Sequence, residues 1–201
     1  TQLITNLFNT GVDAQGRLLA TGVADPHYTI TGGTPPPTAP QAMVTVPNAA
    51  WNSGNEPFSR WIGPANGSVA VAGGPYTYTT TFTIAPGSVP STAQITGYIF
   101  ADDPDVTVSL NGVRALTQVF HWDNDDAAND GKLDVVQENA NFFTIVDGQD
   151  AGDGPVSFLS GVNTLVFSVP EVGPLFQGFR TYGMKGTVSD APPAGAVLII
   201  R

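Results

Sequence analysis

The stretch Tyr76-Thr-Tyr-Thr-Thr-Thr-Phe-Thr-Ile84 decides the fold class. Tyr76, Tyr78, Phe82 and Ile84 fall on one parity, and Thr77, Thr79, Thr81 and Thr83 on the other. Successive strand side chains point to opposite faces, so the alternation predicts a strand with a buried aromatic face and a Thr-rich outer face. Gly73-Gly74-Pro75 opens this strand and Pro86-Gly87 closes it. Similar punctuation sets off further strands, expected over 3–8, 17–20, 28–30, 43–46, 93–101, 106–110, 113–119, 163–169 and 179–188. Asn111-Gly112 suits the left-handed conformations of a two-residue hairpin, which would pair 113–119 back on 106–110. No segment has the period of a long amphipathic helix. The expectation is an all-β chain, an antiparallel two-sheet β-sandwich of the jelly-roll type.

Composition supports this. The 201 residues include 23 Gly and 17 Pro, which interrupt helices. They mark turns between strands, apart from the extended spacer Thr34-Pro-Pro-Pro-Thr-Ala-Pro40. We expect one domain over 1–190, with an acidic insertion at about 120–154, and a Pro-hinged apolar tail strand over 191–201. No apolar run approaches the ~18 residues of a membrane span. A formal charge of -10 disfavours bulk attraction to nucleic acid or anionic lipid. With no cysteine, disulfide scaffolds, thiolate metal sites and cysteine nucleophiles are excluded. The chain opens on Thr1, and together with few lysines and many Thr, Gly and Asn this fits a protein whose leader has been removed. An extracellular or cell-surface location is therefore expected.

A set of short motifs occurs in recognisable order. Leu7-Phe8-Asn9-Thr10-Gly11-Val12-Asp13, a Gly16-Arg17-Leu18-Leu19-Ala20 hairpin and Asp25-Pro26-His27-Tyr28 come first, then Ser59-Arg60-Trp61-Ile62-Gly63-Pro64. Ala101-Asp102-Asp103, Leu110-Asn111-Gly112, Gly161-Val162-Asn163-Thr164-Leu165 and a final Gly178-Phe179-Arg180 strand follow. Over residues 4–188 this order resembles the galactose-binding-like jelly-roll domains of secreted bacterial surface and matrix proteins, especially those with a PEP-type sorting tail. The resemblance implies a non-catalytic carbohydrate-binding or matrix protein, often with one structural calcium. The chain departs from it in the acidic segment 120–153. Its end, Asp190 to Arg201, also lacks the Pro-Glu-Pro signal and the ~20-residue apolar span of a sorting tail.

Most of the 17 acidic residues fall between Asp102 and Asp153, where Arg114 and Lys132 are the only counter-charges. Clustered carboxylates and carbonyls suit Ca²⁺, which takes about 6–8 oxygens. The expected ligands are Asp102, Asp103 and Asp105 in one turn, with Asp123, Asp125, Asp126 and Asp130 in another. The second turn departs from an EF-hand: counted from Asp126, the third position is Ala128 and the twelfth Gln137. Asp147-Gly-Gln-Asp-Ala-Gly-Asp-Gly154 is a further acidic turn. The competing reading of all three is that Asp, Asn and Gly cap turns, with their charge solvated.

Catalytic patterns are missing. His27 and His121 are the only histidines, and neither a Gly-x-Ser-x-Gly elbow nor an HExxH pair occurs. Glu56, Glu138 and Glu171 show no spacing that predicts a glycosidase carboxylate pair. The chain is expected not to be an enzyme, and Asp25-Pro26-His27-Tyr28 to order a strand entry. His121 and Trp122, inside the polar insertion, are the expected sugar contacts, whereas Trp61 is assigned to the core.

The tail segment Ala196, Val197, Leu198, Ile199 and Ile200 is continuously aliphatic and follows Pro192-Pro193. It either adds an edge strand to its own sheet or inserts into a neighbour by strand donation. The N-terminal Gln2 to Phe8 is a second terminal strand. The favoured expectation is a secreted structural subunit that self-assembles into a filament or matrix by strand donation, with calcium stiffening the acidic loops. The alternative is a calcium-dependent carbohydrate-binding module acting on polysaccharide.

Overall fold

The computed structural model describes residues 1–34, 36–37, 39–46, 58–65, 74–102, 105–120, 141–170 and 177–191. Among them, β1 is Gln2–Leu3, β2 Ala24–Gly32, β3 Gln41–Val44, β4 Ile62–Gly63, β5 Tyr76–Ile84 and β6 Ser88–Asp102. β7 is Asp105–Leu110, β8 Val113–Val119, β9 Phe142–Val146, β10 Gly161–Val169 and β11 Gly178–Asp190. Neighbours pair antiparallel in the order β8-β7-β10-β5-β2-β3-β4-β11-β6-β9, with β1 added on β11. The two ends of this path come back together. The Gln118 side-chain amide in β8 donates to the Phe142 carbonyl of β9 at 3.5 Å, and Gln149, just past β9, donates to the Ala115 carbonyl of β8 at 2.7 Å. The chain is thus all-β, with a nearly closed antiparallel sheet.

β5 covers the residues whose alternation predicted it. Tyr76, Tyr78, Phe82 and Ile84 are buried, with Thr80 beside them, and the remaining threonines face outward. β10 answers with Leu165, Phe167 and Val169 on the same inner side. The rings of Tyr78 and Phe179 stack at 4.8 Å, and those of Phe167 and Phe179 lie 4.9 Å apart. Aromatic pairs in these offset geometries add to the area they bury. The β7–β8 hairpin turns at Asn111 and Gly112, with φ of 51° and 84°, in the left-handed region the dipeptide favours.

Several expected strands differ. Pairing over 3–8 is confined to β1 and a single bridge at Thr5, because Asn6 takes a φ of 61° and turns the chain away. Residues 17–20 form no strand. The Asp13 carboxylate accepts the amides of Gln15 and Arg17, both at 2.9 Å, which closes a tight turn and leaves only a Val12–Leu18 bridge. β3 begins at Gln41 and ends at Val44, two residues earlier at each end than expected. β9 was not anticipated; it lies inside the stretch read as an insertion and pairs with β6 from Gln94 to Tyr98.

A buried polar network ties the N-terminal segment to the last strand. Thr10 and Thr181 exchange bonds between amide and hydroxyl at 3.1 Å in both directions, and the Thr10 hydroxyl also donates to the Arg60 carbonyl at 2.7 Å. The Tyr28 hydroxyl donates to the Phe8 carbonyl at 2.9 Å and lies 3.0 Å from the Thr181 hydroxyl. Gly11 follows with a φ of 69°, and a Cβ there would run into Arg60. A buried partner left unpaired costs about 1–3 kcal/mol. Tyr28→Phe and Thr181→Val are therefore each expected to lower unfolding free energy by about 1–2 kcal/mol in urea titrations. Because they break one shared contact, the double variant should lose less than the sum; strict additivity would contradict the network.

Candidate functional site

On the outer face of the sheet, four rings form a strip across three strands. β6 places Tyr98 and Phe100 on the parity opposite its core residues Ile95 and Ile99, so both faces of this strand are apolar. Tyr98 pairs across with Phe142 of β9 on one side and Tyr182 of β11 on the other. Ring centroids are 5.4 Å apart for Tyr98 and Phe142 and 5.7 Å for Tyr98 and Tyr182. Phe58, from the segment before β4, stacks on Tyr182 at 6.1 Å and 23°. Phe58 is 55% exposed and Phe142 40%, so the two ends of the strip stand in solvent.

The strip rests on a second, smaller core outside the sheet. Trp61 and Phe100 are both buried there, with Tyr98 and Tyr182 packed against them. Arg180 is fully buried beside them; its Nε donates to the Ser59 hydroxyl at 2.7 Å and its guanidinium lies 5.4 Å from the centre of the Phe100 ring. Cation–π contact and the hydrogen bond offset the cost of taking this charge out of water. Segment 58–61 is thereby clamped over the sheet, which fixes Phe58. Trp61 is buried as its motif suggested, in this outer cluster and not between the sheet's inner faces.

An exposed row of rings suits ligands with flat apolar faces and polar edges. A sugar ring presents axial C–H groups that pack on an aromatic face, while a tyrosine hydroxyl at the rim bonds its hydroxyls. No member of the strip was singled out from sequence. The signal was the parity of Tyr98 and Phe100 against Ile95 and Ile99, which marks a strand with work on both faces.

The expected calcium ligands are not brought together among the described residues. Asp102 is half-buried at the end of β6, and Asp105 is exposed at the start of β7. Asp103, His121, Trp122, Asp123, Asp125, Asp126, Asp130 and Ala196–Ile200 lie outside the described residues. The turn 147–154 uses its carboxylates on nearby backbone amides and one arginine. Asp147 accepts the Phe158 amide at 2.9 Å, Asp150 accepts the amides of Gly152 and Gly154, and Asp153 pairs with Arg114 at 3.0 Å. No three acidic or histidine side chains among the described residues converge as a cation site.

Asp25 orders the entry to β2. It is buried and accepts the Gly11 amide at 2.6 Å and the His27 amide at 2.8 Å. Burial raises its carboxyl above the ordinary value, against the opposing pull of these amides. Comparison with family models, curated proteins and solved structures gives no match for the chain.

The raised carboxyl has a consequence for stability. The folded chain holds the Asp25 proton more tightly than the unfolded chain, so this group favours folding at low pH, and its contribution is lost as pH rises through the folded value. Asp25→Asn does not titrate. The stability of the wild type minus that of Asp25→Asn is expected to grow as pH falls from neutrality into the carboxylate range. A constant or shrinking difference in parallel denaturant titrations would contradict this.

Proposed function

We propose that the chain is a secreted, non-catalytic carbohydrate-binding module of jelly-roll type that holds neutral glycans on the Phe58–Tyr182–Tyr98–Phe142 strip. The observation that carries this is the strip itself: rings crossing three strands, exposed at both ends and rigidly backed by Trp61, Phe100 and Arg180. A soluble domain rarely holds several large rings in an outward row without a partner for them. The net charge of -10 disfavours acidic polysaccharides and favours neutral ones. The nearly closed antiparallel sheet is compatible with a jelly-roll course, in which loops and sheet faces present ligand contacts. A self-assembling filament subunit has less support. Strand donation by the tail rests on Ala196–Ile200, outside the described residues, and the other terminal strand, β1, pairs with its own β11.

The test is binding to a panel of neutral polysaccharides and glycans by the whole chain. Phe58→Ser and Phe142→Ser touch only the exposed ends of the strip and should each weaken binding by about tenfold, equivalent to ~1.4 kcal/mol. Tyr98→Ala should abolish it, with folding checked by circular dichroism. Stacking draws on no bound ion, so binding through the strip is expected to persist in chelator. No glycan retained by the wild type, or retention unchanged in the Phe58→Ser/Phe142→Ser double variant, would contradict the proposal.

A further inference from the structure

A polar row runs beside the ring strip on the outer face of β9, β6 and β11. Phe142, Tyr98 and Tyr182 stand in register across these strands, and Thr144, Thr96 and Lys185 stand in register next to them. The two rows are about 7 Å apart, the span of two strand residues. Thr144 and Thr96 are half-buried, and Lys185 is exposed. On the other side of the rings, Trp61 packs on Phe100 and Ser59 meets Arg180, so the polar row is the open flank.

Lys185 reaches this face through a bulge. Alternation from Tyr182 would turn residue 185 inward, because the offset between them is odd. β11 instead sets Gly183 and Met184 against the single residue Gly97 of β6, which turns Lys185 outward again. Gly183 takes a φ of 62°, and Gly97 lacks the Cβ that would meet Met184 Sδ at 2.7 Å. Asn9 ties the bulge to the strip. Its Oδ1 accepts the Met184 amide at 2.9 Å, and its Nδ2 donates to the Phe58 carbonyl at 3.0 Å. Lys185 makes no ion pair with another described residue, and neither row contains an acidic side chain.

The ring planes limit what can lie on them. Phe58 and Tyr182 are 23° from parallel and Tyr182 and Tyr98 32°, but Tyr98 and Phe142 are 62° apart. Two rings at that last angle cannot both lie face-down on one flat surface. A single chain can turn between successive sugars and meet each ring in its own plane. The sugar edges then fall toward the polar row, where an ammonium and two hydroxyls are available to bond their hydroxyls.

We infer that the strip takes individual neutral glycan chains and not a flat crystalline polysaccharide face, with Lys185 donating to a hydroxyl of a stacked sugar. Lys185 is then a specificity residue, because a sugar without a hydroxyl at that edge loses the bond. The inference rests on the glycan reading of the strip and adds to it the form of the ligand and the residue that reads its edge.

Affinity electrophoresis in soluble galactan, glucomannan, mixed-linkage β-glucan and dextran, beside depletion onto microcrystalline cellulose and chitin, tests it. The expected result is retention by at least one soluble polysaccharide and no depletion onto either solid. Lys185→Met should weaken that retention about tenfold without moving the unfolding midpoint, the low end for a hydrogen bond from a charged donor. Lys185→Arg, which keeps the charge and the donors, should retain most of it. With a neutral partner, the loss should be the same in low and high salt. Depletion onto either solid would overturn the single-chain form, and wild-type retention by Lys185→Met would overturn the role of Lys185; both results leave the strip standing. A loss that vanishes in high salt would overturn a neutral hydroxyl as the partner of Lys185. Failure of every probe to bind would contradict the glycan reading itself, and this inference would fall with it.

Discussion

Thr10 is held between two parts of the chain that arrive from far apart in sequence. Its hydroxyl donates to Arg60, and its amide and hydroxyl are both engaged with Thr181 of β11. Tyr28 joins the same cluster from β2. A contact spanning 171 positions closes a very long loop, and that entropy must be met before the contact contributes anything. What makes it worthwhile is burial: in a low-dielectric interior, a fully paired cluster is strong and a partly paired one is expensive. Once Thr10 is seated, Gly11 reaches Asp25, Phe8 receives Tyr28, and segment 58–61 is drawn across β11. Two ring contacts on the outer side of the sheet follow from that. Phe58 and Trp61 lie over Tyr182 and Phe100, and Phe8 lies over His27.

Much of the fold was legible where a strand has one wet face. β5 alternates because threonines face water and rings face the core, and β7 and β10 alternate in the same way. The Asn111-Gly112 turn was legible because few residues accept its backbone. Legibility failed where the cause is not local. Arg17 to Ala20 was expected to be a strand, yet the Asp13 carboxylate takes the amides of Gln15 and Arg17 and closes a turn there. β4 is only two residues long and exists because β3 and β11 flank it. β9 carries Phe143 and Ile145 inward at alternate positions, but it is short and flanked on both sides by acidic residues, which dominate the composition of that stretch.

The candidate site was less legible than the fold for the same reason. Acidic clusters are conspicuous in a sequence, and the turn 147–154 shows how such a cluster is used up by backbone amides and one arginine. The ring strip is inconspicuous, because its members come from four separate segments and meet only through the register of β6 with β9 and β11. Tyr98 looks like one more core residue until its parity is set against Ile95 and Ile99. A strand whose two faces are both apolar must cover one of them with something else. Here Trp61 covers part of that face and leaves the rest exposed.

The central claim is that an exposed row of rings, and not the acidic loops, makes contact with sugar. Saturation-transfer difference NMR asks this from the ligand's side: the aromatic protons of the protein are irradiated in the presence of a neutral oligosaccharide. The account predicts strong transfer to the axial C–H protons on one face of the sugar rings, which are the protons that stack. Absence of transfer, or transfer spread evenly over the sugar and lost on adding chelator, would contradict it.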